Sequence, residues 1–388
     1  MSGETALNQT PESMNPSPRL LSLDALRGLT VAVMLLVNNP GSWGHIYTPL
    51  AHASWNGCTI ADLVFPFFLF AVGASMAISL GRAQARGDGR GALLVGSLRR
   101  GVILFLLGLG LNTLSLILPR LAGQAAPSWD TLRFLGVLQR IGIVFFLAAF
   151  TALMLPRLAQ IVLAAAILVG YAAVIGRQPV NDASNPAAVF DALILPLRHM
   201  YRGGPLDPEG LLSTLPAIVT TMIGYWTALW FVPRATTSDA TQRLLGTGAG
   251  LVLLGFAANS ITPINKQLWT SSYVILTAGA AMMCWALLHH TGASADRRQG
   301  VLKPLVIFGS NAIFAFVASG IVGRLLGFIH VPGPGGASPI PINRWVFDQL
   351  AWALPEPRLA SFVFAMITVG LWYLAHRLLH NRGIFFKV

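Results

Sequence analysis

The chain has 388 residues, of which 54% are apolar and only 10% charged, and its formal net charge is +12. A soluble protein carries charge on about a quarter of its residues, so a water-soluble globular fold is excluded. Apolar stretches of about twenty residues, each the length a helix needs to cross the hydrocarbon core, recur from end to end. Nor does the positive charge point to a nucleic-acid partner, because the Arg and Lys residues gather in short segments between those stretches, the pattern of the positive-inside rule.

Residues 1–18 are polar and rich in Pro, Ser, Asn and Thr. With no basic stretch followed by an apolar one, they read as a disordered leader and not a cleaved signal, leaving 19–388 as one transmembrane domain. The first span starts near Leu20, with Ser22 as its expected cap and Asp24 in its first turn, and ends at Asn38, Asn39 and Pro40. The loop from Gly41 to Gly57 contains no Lys or Arg, whereas five arginines fall between Arg82 and Arg100. The second span, Cys58 to Leu80, therefore runs from outside to inside.

The same length and charge reasoning places further spans at 101–118, 134–155, 159–176, 210–231, 244–260, 270–289, 304–328 and 358–379. The expected fold is an all-α polytopic transmembrane helix bundle of about ten spans, with both termini cytoplasmic. Arg157, Arg234, Arg243, Arg297, Arg298, Lys303, Arg377, Arg382 and Lys387 fall on that side. Two outer segments are long, 177–209 and 329–357. The second contains VPGPGGASPIPIN, too dense in Pro and Gly for regular structure, and then NRWVFDQLAWAL, expected as an interfacial helix with Trp345 and Trp352 at headgroup level. Cys58 and Cys284 lie in or beside apolar runs and indicate neither a disulfide framework nor a metal site. No internal repeat and no paired broken helices of the transporter kind are visible.

Polar groups at bilayer depth are expensive and are kept where they line a cavity or do chemistry, which singles out AHASWNG (51–57) and the Asp62 that follows it. Imidazole suits the role of base, acid or nucleophile near neutral pH, making His52 the candidate catalytic group. Asn56 can hold an oxyanion or orient the imidazole, and Trp55 offers an apolar or sugar-stacking face. Asp62 either fixes the tautomer of His52, as carboxylates do in hydrolytic triads, or complements the helix dipole. Pro66 is expected to kink the second span.

Arg27 has Asp24 three residues back as a partner. Arg140, after Gln139, has no local carboxylate, so a distant helix or an anionic ligand must satisfy it. Asn39, Asn112, Asn259, Asn265, Lys266 and Asn311, at or near span ends, read as caps or helix contacts. The arginines from 82 to 100, Arg99 and Arg100 among them, are topology signals that as a group draw in an anionic cofactor. No phosphate-binding glycine loop, HExxH, GxSxG or CxxC motif is present.

The blocks SLDALRGLTVAVMLLVNN, HASWNGCTIADLVFPFFLFAVGAS, RFLGVLQRIGI, GLLSTLPAIVTTMIGYWTA, PINKQLWTSSYVILTAG and IFGSNAIFAFVAS resemble, in order and spacing across about residues 20–380, those of the heparan-alpha-glucosaminide N-acetyltransferase family. The long HASWNG…ADLVFPFF block is specific, while the SxDxxRG opening is shared with a wider group of membrane acyltransferases. The resemblance implies an enzyme that moves acetyl from cytosolic acetyl-CoA to the amine of a glucosamine across the membrane. It places the active histidine on His52 and its asparagines on Asn38 and Asn56. Joined to the reading of the residues, it gives an expected donor site among Arg140, Gln139, Arg99 and Arg100, acceptor contacts from Trp55 and Asn39, and no metal. Lacking the lumenal N-terminal domain of the animal enzyme, the chain is expected to be a multi-pass protein of a bacterial inner membrane, with a second copy of itself, membrane lipid and an amino-sugar or glycan acceptor as expected partners. The rival readings are an amino-sugar or N-acetyl-sugar permease using His52 and Asp62 as a proton relay, and a glycan or lipid O-acyltransferase.

Overall fold

The computed structural model describes residues 18–292, 298–333 and 338–386. Residues 1–17 of the expected leader, Arg297, the side chain of Arg298, residues 334–337 and Lys387 lie outside the described residues. Helices dominate: α1 (Pro18–Asn38), α2 (Ile60–Ala85), α3 (Arg90–Leu121), α4 (Val137–Met154), α5 (Arg157–Ile175), α6 (Pro186–Ile194), α7 (Leu211–Phe231), α8 (Ser238–Ala258), α9 (Ser271–Thr291), α10 (Lys303–Ser310), α11 (Ala312–Phe328), α12 (Ile342–Ala353) and α13 (Pro357–Asn381). Two-residue strands His330–Val331 and Ile340–Pro341 pair antiparallel, with His330 opposite Pro341.

The protein is thus an all-α polytopic bundle. Among the described residues eight helices are long and apolar enough to cross a membrane, and the two segments on either side of Asn311, which meet at 70°, pass the same test only when taken together, as a broken span or a re-entrant loop. The expected span at 244–260 is the 21-residue α8, whose polar opening SDATQR keeps its mean hydropathy below that of the eight. It runs antiparallel to α9, with Gly248 set against Gly279 and Gly255 against Leu276.

Close approach elsewhere also rests on glycine. A Cβ on Gly73 of α2 would lie 1.8 Å from the Thr221 carbonyl oxygen of α7, and one on Gly224 would lie 2.0 Å from that of Phe70. Small residues let membrane helices pack backbone to backbone where apolar burial supplies little force. Aromatic side chains fill the middle: Trp285 meets Phe70 and Phe231 edge-on, and Trp269 meets Phe65 and Tyr273 in the same way.

Three expectations change at the local level. Ser22 does not cap α1, which begins at Pro18. It lies inside the helix and accepts a hydrogen bond from the Trp285 indole at 3.1 Å. The third span starts at Arg90 and not near 101, because exposed arginines lower hydropathy without stopping a helix. The single span expected at 304–328 is broken at Asn311. There the freed side chain donates to the Ile384 carbonyl at 3.0 Å and accepts from the Phe386 amide at 2.9 Å, tying the C-terminal segment to the break. Phe386 stacks on Phe314 with ring centres 4.8 Å apart. The helix expected around 343–354 is present as α12, with Trp345 and Trp352 exposed.

Candidate active site

The N-terminus of α2 builds the site. Asp62 sits in the third position of the helix and reaches back to the Thr59 amide at 3.1 Å, closing a capping box. Its Oδ2 also accepts from the Ala53 amide (3.0 Å) and the Thr59 hydroxyl (3.1 Å). That leaves Oδ1 for His52, whose Nδ1 lies 2.8 Å away. Both readings of Asp62 therefore hold at once, one for each oxygen. The carboxylate is 1% exposed and the imidazole 43%, so a buried, fully ligated acid fixes the tautomer of a ring whose other face meets open space. With Nδ1–H donated to Asp62, Nε2 carries the lone pair.

A second element closes over the ring. In the loop between α8 and α9, Lys266 Nζ lies 3.0 Å from Nδ1 and 3.3 Å from Nε2 of His52, and 3.4 Å from Asp62 Oδ1. This loop is bolted to the His52 loop. The Gly57 amide donates to the Ile264 carbonyl at 2.7 Å, Gly57 and Asn265 form a parallel bridge, and Asn265 Nδ2 donates to Asn56 Oδ1 at 3.1 Å. Gly57 has φ +116°, a conformation that side chains rarely adopt. Burial pushes the Lys266 ammonium below its ordinary pKa, while Asp62 and Glu209 pull it back up. Burial, with Asp62 adding to it, pushes the Cys58 thiol up to about 12, so no competing thiolate forms beside the imidazole.

His52, Lys266, Asn38 and Glu209 line a cavity of about 180 Å³. Towards the near surface it adjoins a second cavity of about 460 Å³, with Asn38 in both walls and Asn39, Arg133, Gln139 and Arg324 in the second. In the other direction it adjoins a third, of about 710 Å³, through the shared side chains of Phe68, Leu104, Ile141 and Ile313. The far part of this third cavity is lined by Asp24, Arg27, Arg82 and Arg100, with Phe385 and Phe386 beside them. Adjacent cavities with shared lining side chains thus lie between the His52 end of the bundle and its arginine end.

The arginine end is short of partners. Arg27 pairs with Asp24 at 3.0 Å, as the spacing implies, and donates to the Gly309 carbonyl at 2.7 Å. The Nε atoms of Arg27 and Arg100 are nevertheless buried without a hydrogen-bond partner, and the Arg100 guanidinium rests 4.6 Å over the Phe145 ring. Such atoms are costly in a closed protein and suit a polyanionic ligand.

The other expected site residues divide. Asn38 and Asn39 face the cavities, and Gln139 lines the second one at the His52 end, too far along the bundle to belong with the arginines. Arg140 is wholly buried one turn into α4, near the His52 end, where it donates to the Gly210 carbonyl at 3.0 Å and to the Ser213 hydroxyl and lies 5.3 Å over the Trp269 ring, with its Nε and Nη1 left without a hydrogen-bond partner. It lines none of the three cavities. Arg99 points outward and Arg100 alone of that pair faces the third cavity. Asn56 ties the two loops together instead of facing the cavity, and the Trp55 indole donates to the Pro179 carbonyl at 3.0 Å. The sequence reading missed Lys266 as a site residue, along with Glu209 and its clamp: Arg133 binds Asp207 through both nitrogens and Glu209 at 2.6 Å. Burial opposes the charge on Arg133, and the two carboxylates outweigh it, raising its pKa.

Fold and site together define a polytopic membrane protein with an acid–base pair at one end of a chain of internal cavities. The chain belongs to the heparan-alpha-glucosaminide N-acetyltransferase family, whose catalytic-region model matches residues 19–261. It is similar to the human heparan-alpha-glucosaminide N-acetyltransferase, 24% identical over 430 residues, and to the mouse protein of the same name, 25% identical over 441. The matches take in 96% and 97% of this chain but 60% and 62% of those relatives, so the chain spans about three-fifths of their length.

Proposed function

We propose that this protein is a transmembrane N-acetyltransferase of the bacterial inner membrane, moving acetyl from cytosolic acetyl-CoA to the amine of a glucosamine-type sugar at the outer face. The observation that carries the reading is that Phe68, Leu104, Ile141 and Ile313 line both the cavity of His52 and the cavity of the arginines, which sets the two side by side. A donor with phosphates at Arg27, Arg82 and Arg100 then has a route for its thioester arm to the imidazole. The family membership supports the same chemistry.

In this scheme His52 is the proton acceptor for the attacking amine or the nucleophile that carries the acetyl group in between. Asp62 holds Nδ1–H and leaves Nε2 facing the cavity. Asn38 lines the cavities on both sides of the reaction point and donates to the developing oxyanion. The carboxylate of Glu209 sits in the same wall as His52 and attracts the ammonium form of the acceptor before deprotonation.

Sealed vesicles loaded with [¹⁴C]acetyl-CoA and bathed in glucosamine test this directly. Label should appear on external sugar, with free thiol accumulating inside. Accumulation of intact sugar inside vesicles that lack acetyl-CoA would replace the enzyme reading with a permease.

A further inference from the structure

Lys266 takes no part in the proton steps assigned above, yet it stands closer to His52 Nε2 than any other charged side chain does. We infer that Lys266 is a catalytic residue of the proposed acetyl transfer, its ammonium donating to the thioester carbonyl oxygen and holding the negative charge that develops there. The inference rests on the acetyl-transfer reading and adds a group to it.

Geometry comes first. Nζ is 3.3 Å from Nε2 and lines the same cavity. A carbonyl carbon placed for attack while Nε2 receives the proton must lie within a few ångströms of that nitrogen, so its oxygen falls within hydrogen-bond reach of Nζ. The ammonium also keeps capacity for a further partner. It carries three donors, and its carboxylate neighbour, Asp62 Oδ1, is 3.4 Å away, beyond the 2.7–2.9 Å of a strong charged hydrogen bond. Asp62 is already committed to His52 at 2.8 Å, and Glu209 to Arg133 at 2.6 Å.

The loop that carries Lys266 is fixed before any substrate arrives. Besides the bridge to Gly57, the Asn265 carboxamide oxygen accepts from the Leu268 amide at 3.0 Å and the Thr270 hydroxyl donates to the Pro263 carbonyl at 2.8 Å. Trp269 is held at φ +52°, a rare conformation for a bulky side chain, by its burial and by its indole hydrogen bond to Thr220 at 3.1 Å. Such investment fits a donor aimed where charge appears, since preorganised donors in a water-poor site avoid reorganisation during reaction. The carboxylates of Asp62 and Glu209 favour the charged lysine against the cost of its burial.

The acceptor reacts as its neutral amine, the ammonium proton having passed to water beforehand. The amine lone pair forms the N–C bond while the carbonyl π pair moves onto oxygen, beside Nζ. That pair then returns, the C–S bond breaks and sulfur leaves with its electrons. His52 Nε2 takes the proton from the amine and delivers it to sulfur, giving the acetamide and the free thiol.

The test uses acetyl-CoA labelled with ¹³C at the carbonyl, bound to the full-length protein in detergent and read by difference infrared spectroscopy. A His52→Ala background stops turnover and so separates the two ideas. In it the carbonyl band should still move to lower frequency on binding; with Lys266→Met added the shift should vanish, and with Lys266→Arg it should return. In the otherwise native protein Lys266→Met should lower kcat by about 10²–10³-fold, the cost of one oxyanion donor, with KM for acetyl-CoA within twofold. A band that shifts equally in Lys266→Met with donor bound overturns the proposal, as does loss of donor binding by a folded Lys266→Met protein. Should Lys266→Met fail to fold, Lys266→Gln replaces it, and a full-size shift there is equally fatal. Undiminished transfer by His52→Ala alone would sink the parent reading and leave the infrared result on Lys266 standing.

Discussion

At the His52 end the carboxylates are answered by other protein groups, whereas at the arginine end the cations outnumber the carboxylates. Asp62 is ligated on both oxygens, and Arg133 is gripped by Asp207 and Glu209. Across the bundle, Arg27 has one carboxylate, Asp24, and no ion pair joins Arg100 to a carboxylate among the described residues. Arg27 and Arg100 carry unpartnered nitrogens and line a cavity, so they can take an anion. On the reading proposed above, chemistry belongs to the first end and capture of an anion to the second.

Substitution at each end should therefore give a different kinetic signature. His52→Ala should abolish transfer, lowering kcat by at least about 10³-fold, while equilibrium binding of acetyl-CoA is unchanged. Asp62→Asn should cost about 10²-fold in kcat through loss of the ring's orientation, and it should also lower Tm, because the same side chain caps α2. A Tm unchanged in Asp62→Asn would refute the double role. Arg100→Gln and Arg27→Gln should each raise KM for acetyl-CoA about tenfold, the worth of a charge-assisted hydrogen bond, with kcat unaltered. The effect should shrink as salt screens the remaining charges. Asp24→Asn should act in reverse, lowering that KM by about two- to fivefold as a half-buried ion pair is released. A kcat effect from either arginine, or a KM effect confined to His52, would dissolve the distinction between the ends.

The primary structure exposes these regions unequally. His52 and Asp62 are ten residues apart in one loop and helix start, so their pairing is local and readable. Lys266 stands 214 residues from His52, and only the antiparallel run of α8 against α9 and the bridge at Gly57 bring it to the ring. Its block, PINKQLWTSS, is legible as a resemblance but carries no sign of which neighbour it meets. Arg140 misleads for the opposite reason. A search for opposite charges overlooks its acceptors, the main-chain carbonyl of Gly210 and the hydroxyl of Ser213. Spans are legible because bilayer thickness imposes a length on them. The break at Asn311 is not, since apolar residues continue on both sides of it, and the polar C-terminal partner that stabilises it is some 73 residues away.

That break has a practical side. Ile384 and Phe386 are stitched to Asn311, and Phe385 and Phe386 stand in the rim of the arginine cavity. An affinity handle or fluorescent protein appended after Val388 would start close to the cavity that the proposed reading gives to the donor's phosphates, and should raise KM for acetyl-CoA.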